Sequence, residues 1–265
     1  MQGMNAAEYD RGWETEWDDM KQYGPFSRHL RRLIFDLIRP LEFESVLDVG
    51  CGQGSFLEGL RFKFPQVKLH GTEISHKAIA MARSRVPDGR FEFLDLAQGH
   101  LNETFDLIVC SEVLEHIHDD TSAIHHLRAM TNKYLIVSSP QGRMRSLEPA
   151  AYGHVRNYAR GELVAKLKQA GLYVLKVIEW GFPLYSPLYR DLMNLIGGRG
   201  TTGQYGAGQK LAAQIIYLLF KLNSSKRGDE LVVLAESATQ LQAGANSASC
   251  PRAQTLDLQM TCWFY

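Results

Sequence analysis

Carboxylates and imidazoles cluster in the segment Ser111-Glu-Val-Leu-Glu-His-Ile-His118, which directly follows an apolar run. Histidines titrate near neutrality, so His116 is a candidate base for taking a proton from a reacting hydroxyl. Glu112, Glu115 and His116, joined by His154 from further along the chain, offer in addition the oxygen and nitrogen ligands of a divalent ion. From the residues alone, this cluster could act as a base, hold a metal ion or form a hydrogen-bonding network.

A second feature is the glycine-rich turn in Val46-Leu-Asp-Val-Gly-Cys-Gly-Gln-Gly-Ser-Phe56, which joins a strand pattern to a helix pattern. Glycines at positions 50, 52 and 54 let the backbone approach a ligand at the start of a helix. Their G-x-G-x-G spacing differs from the G-x-G-x-x-G of dinucleotide enzymes, which disfavours a nicotinamide-dependent dehydrogenase. Asp48 just before the turn would repel a phosphate and favour a cationic ligand.

Acidic residues also follow the next two predicted strands. Glu73 lies where an acid can accept two ribose hydroxyls, and the alternative is an exposed loop carboxylate. Asp95 can accept from the exocyclic amine of adenine while Leu96 covers the ring, and the alternative for Asp95 is a helix N-cap. With the glycine-rich turn, these acids favour a nucleoside ligand.

Short apolar runs alternate with helical patterns from Ser45 to about Gly181, which predicts an α/β fold with a mostly parallel sheet and helices on both faces. We predict a helical cap over residues 1–44, a main domain over residues 45–236 and a disordered tail over residues 237–265. An irregular insert over residues 181–210 is rich in Gly, Pro and Tyr and is expected to act as a lid or binding loop. The seven strands are predicted at 45–50, 67–74, 90–94, 105–111, 134–138, 172–180 and 230–235.

Composition limits the function classes. The 265 residues carry 29 Lys plus Arg and 29 Asp plus Glu, so a net charge of zero argues against general nucleic-acid binding. The four cysteines form no C-x-x-C pair, and neither a secretory signal nor a transmembrane run is recognised. We therefore expect a soluble cytoplasmic protein, with peripheral membrane contact as an option.

Three further patterns each have two interpretations. The aromatic run Trp180–Tyr189 could line a pocket or pack the insert onto the core. The apolar run Leu211–Phe220 is most simply a buried helix, and a membrane-surface or dimer contact is the functional alternative. A basic cluster could meet an anionic acceptor or be a solvated surface, and its members are Arg143, Arg145, Arg156 and Arg160.

Together the motifs resemble those of the class I S-adenosylmethionine-dependent methyltransferases over about residues 26–181. The resemblance implies a Rossmann-like fold of seven strands and S-adenosyl-L-methionine as the methyl donor, with S-adenosyl-L-homocysteine as product. It implies that the glycine turn contacts the methionine moiety, that Glu73 binds ribose, that Asp95 contacts adenine, and that Ser111 and Glu112 face the methionine end and the substrate. The expected cofactor-binding residues are Arg28, Asp48, Gly50, Cys51, Gly52, Gly54, Glu73, Ile74, Asp95, Leu96 and Ser111.

The run Ser111-Glu-Val-Leu-Glu-His116 also looks like that of the ubiquinone-type O-methyltransferases. In small-molecule members of the family an arginine ahead of the first strand meets the methionine carboxylate, and Arg28 is the expected residue, with Arg31 and Arg32 as alternatives. The same E-x-x-E-H pattern binds a divalent ion in small-RNA 2′-O-methyltransferases, which makes Glu112, Glu115, His116 and His154 the alternative metal ligands, although a metal is not favoured.

We therefore expect O-methylation of a small or lipid-like acceptor, with His116, Glu112 and His154 as catalytic residues. An RNA or protein methyltransferase is the alternative enzyme. A non-catalytic S-adenosylmethionine-binding partner subunit is the alternative from another functional class.

Overall fold

The computed structural model describes residues 6–237, and in them seven strands form one sheet, which confirms the predicted fold class. The strands are β1 Ser45–Val49, β2 Lys68–Glu73, β3 Arg90–Phe93, β4 Phe105–Ser111, β5 Thr131–Pro140, β6 Leu172–Trp180 and β7 Glu230–Ser237. The predicted disordered tail lies outside the described residues, apart from Ser237, which ends β7.

The sheet has the order β3-β2-β1-β4-β5-β7-β6. Strands β1 to β5 are mutually parallel, whereas β7 is inserted antiparallel between β5 and β6. From β1 the chain builds one half of the sheet through β2 and β3, and it then returns to the other side of β1 with β4. The carboxyl ends of β1 and β4 therefore flank the point where the strand order reverses, which is where open α/β sheets bind ligands.

Helices cover both faces of the sheet. Side chains alternate between the two faces along β1. Val46 packs in a core with α3, α4 and α5 on one face, and Leu47 and Val49 pack in a core with α6 and α7 on the other. No helix within residues 6–237 combines the length and apolar character needed to cross a bilayer. The helices are α1 Ala6–Thr15, α2 Asp18–Tyr23, α3 Pro25–Ile38, α4 Ser55–Lys63, α5 His76–Arg85, α6 Asp120–Met130, α7 Glu162–Gln169, α8 Arg190–Ile196 and α9 Ala207–Phe220.

The insert is more ordered than its composition predicts. A helical segment over Leu184–Tyr189, interrupted by the extended backbone of Ser186, runs into α8, and a glycine-rich irregular stretch precedes α9. Aromatic packing orders this part of the insert, because Tyr185 is buried and stacks on Trp180 at a ring-centroid distance of 4.9 Å. The expectation of an irregular 181–210 segment is therefore wrong for α8, and it holds for residues 181–183, for Ser186 and for the stretch before α9.

Candidate active site

A cavity of about 1130 Å³ opens at the carboxyl ends of β1 and β4. One end is formed by the glycine-rich turn and the acids that follow β2 and β3, and the other end by the His116 loop and the insert. A drug-sized ligand fills roughly 300–1,000 Å³, so this cavity has room for a nucleoside and a second molecule. The predicted cofactor residues in its wall are Asp48, Gly50, Cys51, Gly52, Glu73, Ile74, Asp95, Leu96 and Ser111.

Two glycines of the turn differ in what they do. Gly52 has a positive φ of 52°, and a Cβ there would lie 2.7 Å from the Trp13 ring, so the bare backbone forms part of the cavity wall. Gly54 lies outside the wall at the start of α4 with φ 83°, and a Cβ there would be 3.1 Å from the Cβ of Ala82 on α5. The expectation that Gly54 binds the cofactor is therefore corrected to a role in packing α4 against α5.

Glu73 is held at the end of β2 by three backbone amides. The amide of Gly52 donates to its Oε2 at 2.9 Å, and those of Ile74 and Ser75 donate to its Oε1 at 2.8 and 3.2 Å. Burial raises the pKa of this carboxyl, and the three amide donors oppose that rise. A carboxylate has about four lone-pair sites, and these amides occupy three of them, so Oε2 can still accept from one ligand hydroxyl.

Asp95 and Leu96 follow β3 beside Glu73 in the cavity wall. The amide of Ala97 donates to Asp95 Oδ1 at 3.0 Å within a turn, and no helix begins there, so the alternative role of Asp95 as a helix N-cap is wrong. The other carboxylate oxygen remains for a ligand, and Leu96 is buried against it. The arrangement fits a nucleoside with its ribose at Glu73 and its base at Asp95.

The Asp48 carboxyl is buried beneath the glycine turn. Burial, assisted by the nearby Glu73, raises its pKa to about 8. Asp48 is therefore neutral at neutral pH in the empty cavity, whereas the sequence argument treated it as an anion. A cationic ligand would favour its ionised form.

Arg31, rather than Arg28, lies in the cavity wall. Arg28 points to α9, where it donates to Gln214 Oε1 at 2.7 Å and lies 4.2 Å from the Tyr217 ring centroid. Arg31 donates to the carbonyl of Gln22 at 2.9 Å and to the hydroxyl of Ser55 at 3.2 Å. Arg28 therefore does not line the cavity as expected, whereas Arg31, one of the two alternatives, does.

At the other end of the cavity the rings of His116 and His154 meet edge to face, with centroids 4.9 Å apart. Burial lowers the pKa of His116 to about 3, with help from His154, and burial together with Arg190 lowers the pKa of His154 to about 4. Both imidazoles are therefore unprotonated at neutral pH. Their Nδ1 atoms and Oε1 of Glu115 are buried without a hydrogen-bond partner among the described residues.

Three of the four alternative metal ligands come together. Within residues 6–237, ligand atoms of Glu115, His116 and His154 lie within 4.8 Å of one another. Glu112 belongs to a different group, because its Oε1 accepts from the Ser138 hydroxyl at 3.0 Å. Of the four alternative metal ligands predicted from the sequence, three therefore lie close enough together to share an ion.

Glu112 has a strained backbone, with φ 59°, which is uncommon for any residue except glycine and is often found at functional sites. Its carboxylate lies in the cavity wall and faces Glu230 of β7, whose pKa is raised well above its usual range by burial and by Glu112. The pair therefore carries a proton. Glu112 thus lines the acceptor end as predicted, with Glu230 as a neighbour that the sequence did not indicate.

The insert supplies part of the wall, and its action as a lid stays a prediction. Trp180 is a packing residue, since its ring stacks on His29 at 4.1 Å, while Tyr185 and Tyr189 both pack and line the cavity. The other insert residues in the wall are Arg190, Met193, Thr201 and Tyr205.

The basic cluster does not form a free anion site. Arg145 is buried and donates to Asp191 at 2.8 Å, and Arg156 pairs with Asp120 at 2.6 Å. Arg143 and Arg160 also have acidic partners. With every guanidinium of the cluster already paired, the anionic-acceptor interpretation loses its support.

Helix α1 contributes cavity residues that the sequence argument did not assign. Trp13 covers Gly52, and Tyr9 lies in the wall with its ring 6.1 Å from that of His116. The available signal was the spacing of Tyr9, Trp13 and Trp17, four residues apart in a helical pattern, which places three aromatic rings on one helix face.

A family model described as a methyltransferase domain matches residues 26–177. The ubiquinone biosynthesis O-methyltransferase of Hydrogenovibrio crunogenus is 26% identical over 185 residues, which cover 60% of this chain and 76% of the relative. The trans-aconitate 2-methyltransferase of Variovorax paradoxus is 37% identical over 89 residues, and this chain spans only 34% of its length.

Solved structures show the same fold at low identity. The N-methyltransferase NodS from Bradyrhizobium japonicum, in complex with S-adenosyl-L-homocysteine, matches with a TM-score of 0.57 and 18% identity, covering 88% of this chain and 97% of that one. The magnesium protoporphyrin IX methyltransferase from Synechocystis matches with a TM-score of 0.52 and 15% identity, over 83% of this chain and 84% of that one.

Proposed function

Because the chain belongs to the class I S-adenosylmethionine-dependent methyltransferase family, we propose that it transfers a methyl group to an oxygen atom of a small or lipid-like acceptor. The observation that carries this proposal is the single cavity that joins Glu73 and Asp95 at one end to the His116–His154 pair at the other. The names of the curated O-methyltransferase relatives support oxygen as the methylated atom.

The first end of the cavity fits S-adenosylmethionine. Glu73 would accept from a ribose hydroxyl and Asp95 from the adenine amine, with Leu96 against the ring. Asp48 would face a positive charge, and Arg31 would pair with the carboxylate of the methionine moiety. Each of these side chains is already fixed by backbone or side-chain hydrogen bonds or by burial, so little ordering is needed on binding.

Bound S-adenosylmethionine supplies a methyl group that its sulfonium has already activated. The protein then has to orient the acceptor and take its proton, and good orientation is worth up to about 7–11 kcal/mol. An unprotonated imidazole of His116 or His154 accepts the proton of the acceptor hydroxyl. Oε1 of Glu115 lies 3.9 Å from Nε2 of His116, but burial raises the pKa of this carboxyl well above its usual range, so it favours the resulting imidazolium only when it is ionised.

The low pKa of both histidines favours an acidic acceptor. A base with a pKa near 3 or 4 is weak, so it helps least with an aliphatic alcohol and more with a phenol, while a carboxylic acid is already ionised at neutral pH and needs no base. The aromatic wall formed by Tyr185, Tyr189 and Tyr205 fits a planar or apolar molecule. A phenol or a carboxylic acid with an apolar body is therefore the expected acceptor class.

The test is an acceptor panel of phenols, carboxylic acids, aliphatic alcohols, amines and RNA. Formation of S-adenosylhomocysteine and of the methylated product is followed by mass spectrometry, with and without EDTA. We expect turnover of phenols or carboxylic acids that EDTA does not abolish. Methylation of amines or RNA alone would contradict the proposal, and binding without turnover of any acceptor would favour a partner subunit.

A further inference from the structure

Helix α9 is mostly apolar, yet within residues 6–237 only one side of it is covered. Ala213 and Phe220 are buried on the side toward α3, where Gln214 meets Arg28. A helix that is hydrophobic on all sides is normally buried on all sides. Here a row of aliphatic side chains along the outer side, 63% exposed at its first member and 73% at its last, consists of Leu211, Ile215, Leu218, Leu219 and Leu222.

A second exposed row runs beside it. Tyr189 packs against Phe220 of α9 with ring centroids 5.3 Å apart, so the segment leading into α8 adjoins α9. The outward side chains of this segment and of α8 are Leu188, Leu192, Leu195 and Ile196, all of them exposed. We refer to these four residues, together with the five of the α9 row, as the α8–α9 face.

The charged residues beside α9 are basic, whereas α8 carries one acidic residue, Asp191, which pairs with Arg143 and Arg145. Between Asp191 and Asp229 the chain has no acidic residue, and its basic residues are Arg199, Lys210, Lys221, Lys226 and Arg227. All five are exposed, and within residues 6–237 their recorded partners are aromatic rings: Lys210 lies over Tyr23 at 4.2 Å and Lys221 over Tyr217 at 5.3 Å. The ammonium groups at the two ends of α9 are thus free of carboxylate partners in the described part of the chain.

We propose that the α8–α9 face binds the surface of a membrane that contains anionic phospholipids. Aliphatic side chains flanked by lysine and arginine are the pattern of a helix that lies in the headgroup region, with its apolar side toward the acyl chains. A second copy of this chain fits less well. In a two-fold dimer the α8–α9 face of one copy would contact the α8–α9 face of the other. The lysines of one copy would then find no unpaired acidic partner on the other.

This placement connects the membrane to the cavity. The inward side of the same helical segment carries Tyr189, Arg190 and Met193, which line the acceptor end. A helix is about 10–12 Å across, so the acceptor end lies roughly one helix diameter from the lipid surface. An acceptor dissolved in the bilayer would therefore have to move only about one helix diameter out of the lipid to reach the acceptor end of the cavity.

The experiment measures co-sedimentation of the full chain with vesicles of phosphatidylcholine alone and of phosphatidylcholine mixed with phosphatidylglycerol. The variants are the pair Leu211→Asp with Leu218→Asp, and the pair Lys210→Glu with Lys221→Glu. The matched control is Phe62→Asp, because Phe62 on α4 is 88% exposed and lies outside the face. Circular dichroism and thermal unfolding confirm that each variant is folded, and sedimentation velocity records its oligomeric state.

We expect binding to the mixed vesicles that weakens with salt, and about tenfold or greater loss of affinity in both variant pairs. The control should bind like the wild type. Equal binding to both kinds of vesicle, or no binding to either, would overturn the proposal. A dimer that the leucine substitutions dissociate, with no vesicle binding, would identify the face as a contact between copies of the chain.

Discussion

His116 and His154 are brought ring to ring by a backbone contact between their two loops. The amide of Val155 donates to the carbonyl of Glu115 at 2.8 Å, which fixes the loop after β5 against the loop after β4. The rings then lie 4.9 Å apart and nearly perpendicular. The distance is therefore set by the backbone, and a substitution of either ring should leave the loops in place.

Replacement of His116 or His154 by Asn should lower kcat by about 10²–10⁴-fold, because the acceptor proton loses its base. The affinity for S-adenosylhomocysteine should stay within about threefold of wild type, since the nucleoside end is untouched. The control is His125→Asn, because His125 on α6 is exposed and does not line the cavity. The measurement is kcat with the best acceptor of the panel. A wild-type kcat in the His116 and His154 variants would show that neither histidine is the base.

Arg31→Gln should weaken binding of S-adenosylhomocysteine by about tenfold or more, because the ligand carboxylate loses a charge-assisted partner. Arg28→Gln should leave the affinity unchanged, since Arg28 contacts Gln214 and Tyr217 on α9. Isothermal titration calorimetry measures both, with thermal unfolding as the check on folding. The opposite ranking of the two variants would restore Arg28 as the cofactor residue.

Gly54→Ala should destabilise the fold by about 1–3 kcal/mol, because a Cβ at φ 83° is strained and crowds Ala82. The variant that still folds should bind S-adenosylhomocysteine like the wild type. Gly52→Ala should weaken binding by about tenfold or more, because its Cβ displaces Trp13 at the cavity wall. Urea unfolding and calorimetry separate the two effects, and a loss of affinity with Gly54→Ala alone would return Gly54 to the binding site.

The buried Asp48 predicts a pH dependence of stability. Burial raises its pKa from the ordinary 3.8 to about 8 in the folded protein. Between these values the unfolded chain is ionised and the folded protein is not, so this group's contribution to stability is lost as pH rises and levels off above about pH 8. From roughly pH 6 to pH 8 this amounts to about 2 kcal/mol.

Asp48→Asn should remove that component of the slope. Urea unfolding of the wild type and of Asp48→Asn at both pH values gives the difference directly. Identical slopes in the two proteins would show that Asp48 is ionised throughout this range.

The sequence predicted those parts of the site that depend on strand ends. Glu73 and Asp95 lie where parallel strands finish, and the carboxyl ends of parallel strands share one edge of the sheet. Gly54 was assigned to the ligand because a G-x-G-x-G pattern does not reveal which glycine faces the cavity and which faces α5. That distinction depends on Ala82, which is distant in the sequence.

Long-range packing explains the other differences. Arg28, Arg31 and Arg32 lie within about one turn of α3, and it is the position of α9 that directs Arg28 outward. The apolar character of α9 predicted burial, but residues 6–237 cover one side of the helix only, which a residue pattern cannot show.

The central claim is that Glu73 binds the nucleoside of S-adenosylmethionine within this cavity. Calorimetric titration of S-adenosylhomocysteine into the wild type, Glu73→Gln, Glu73→Ala and the exposed control Glu42→Ala tests it most directly, with circular dichroism confirming the fold of each. We predict binding by the wild type and Glu42→Ala, and at least about tenfold weaker binding by both Glu73 variants. Undiminished affinity in folded Glu73 variants, or no binding by the wild type, would contradict the account.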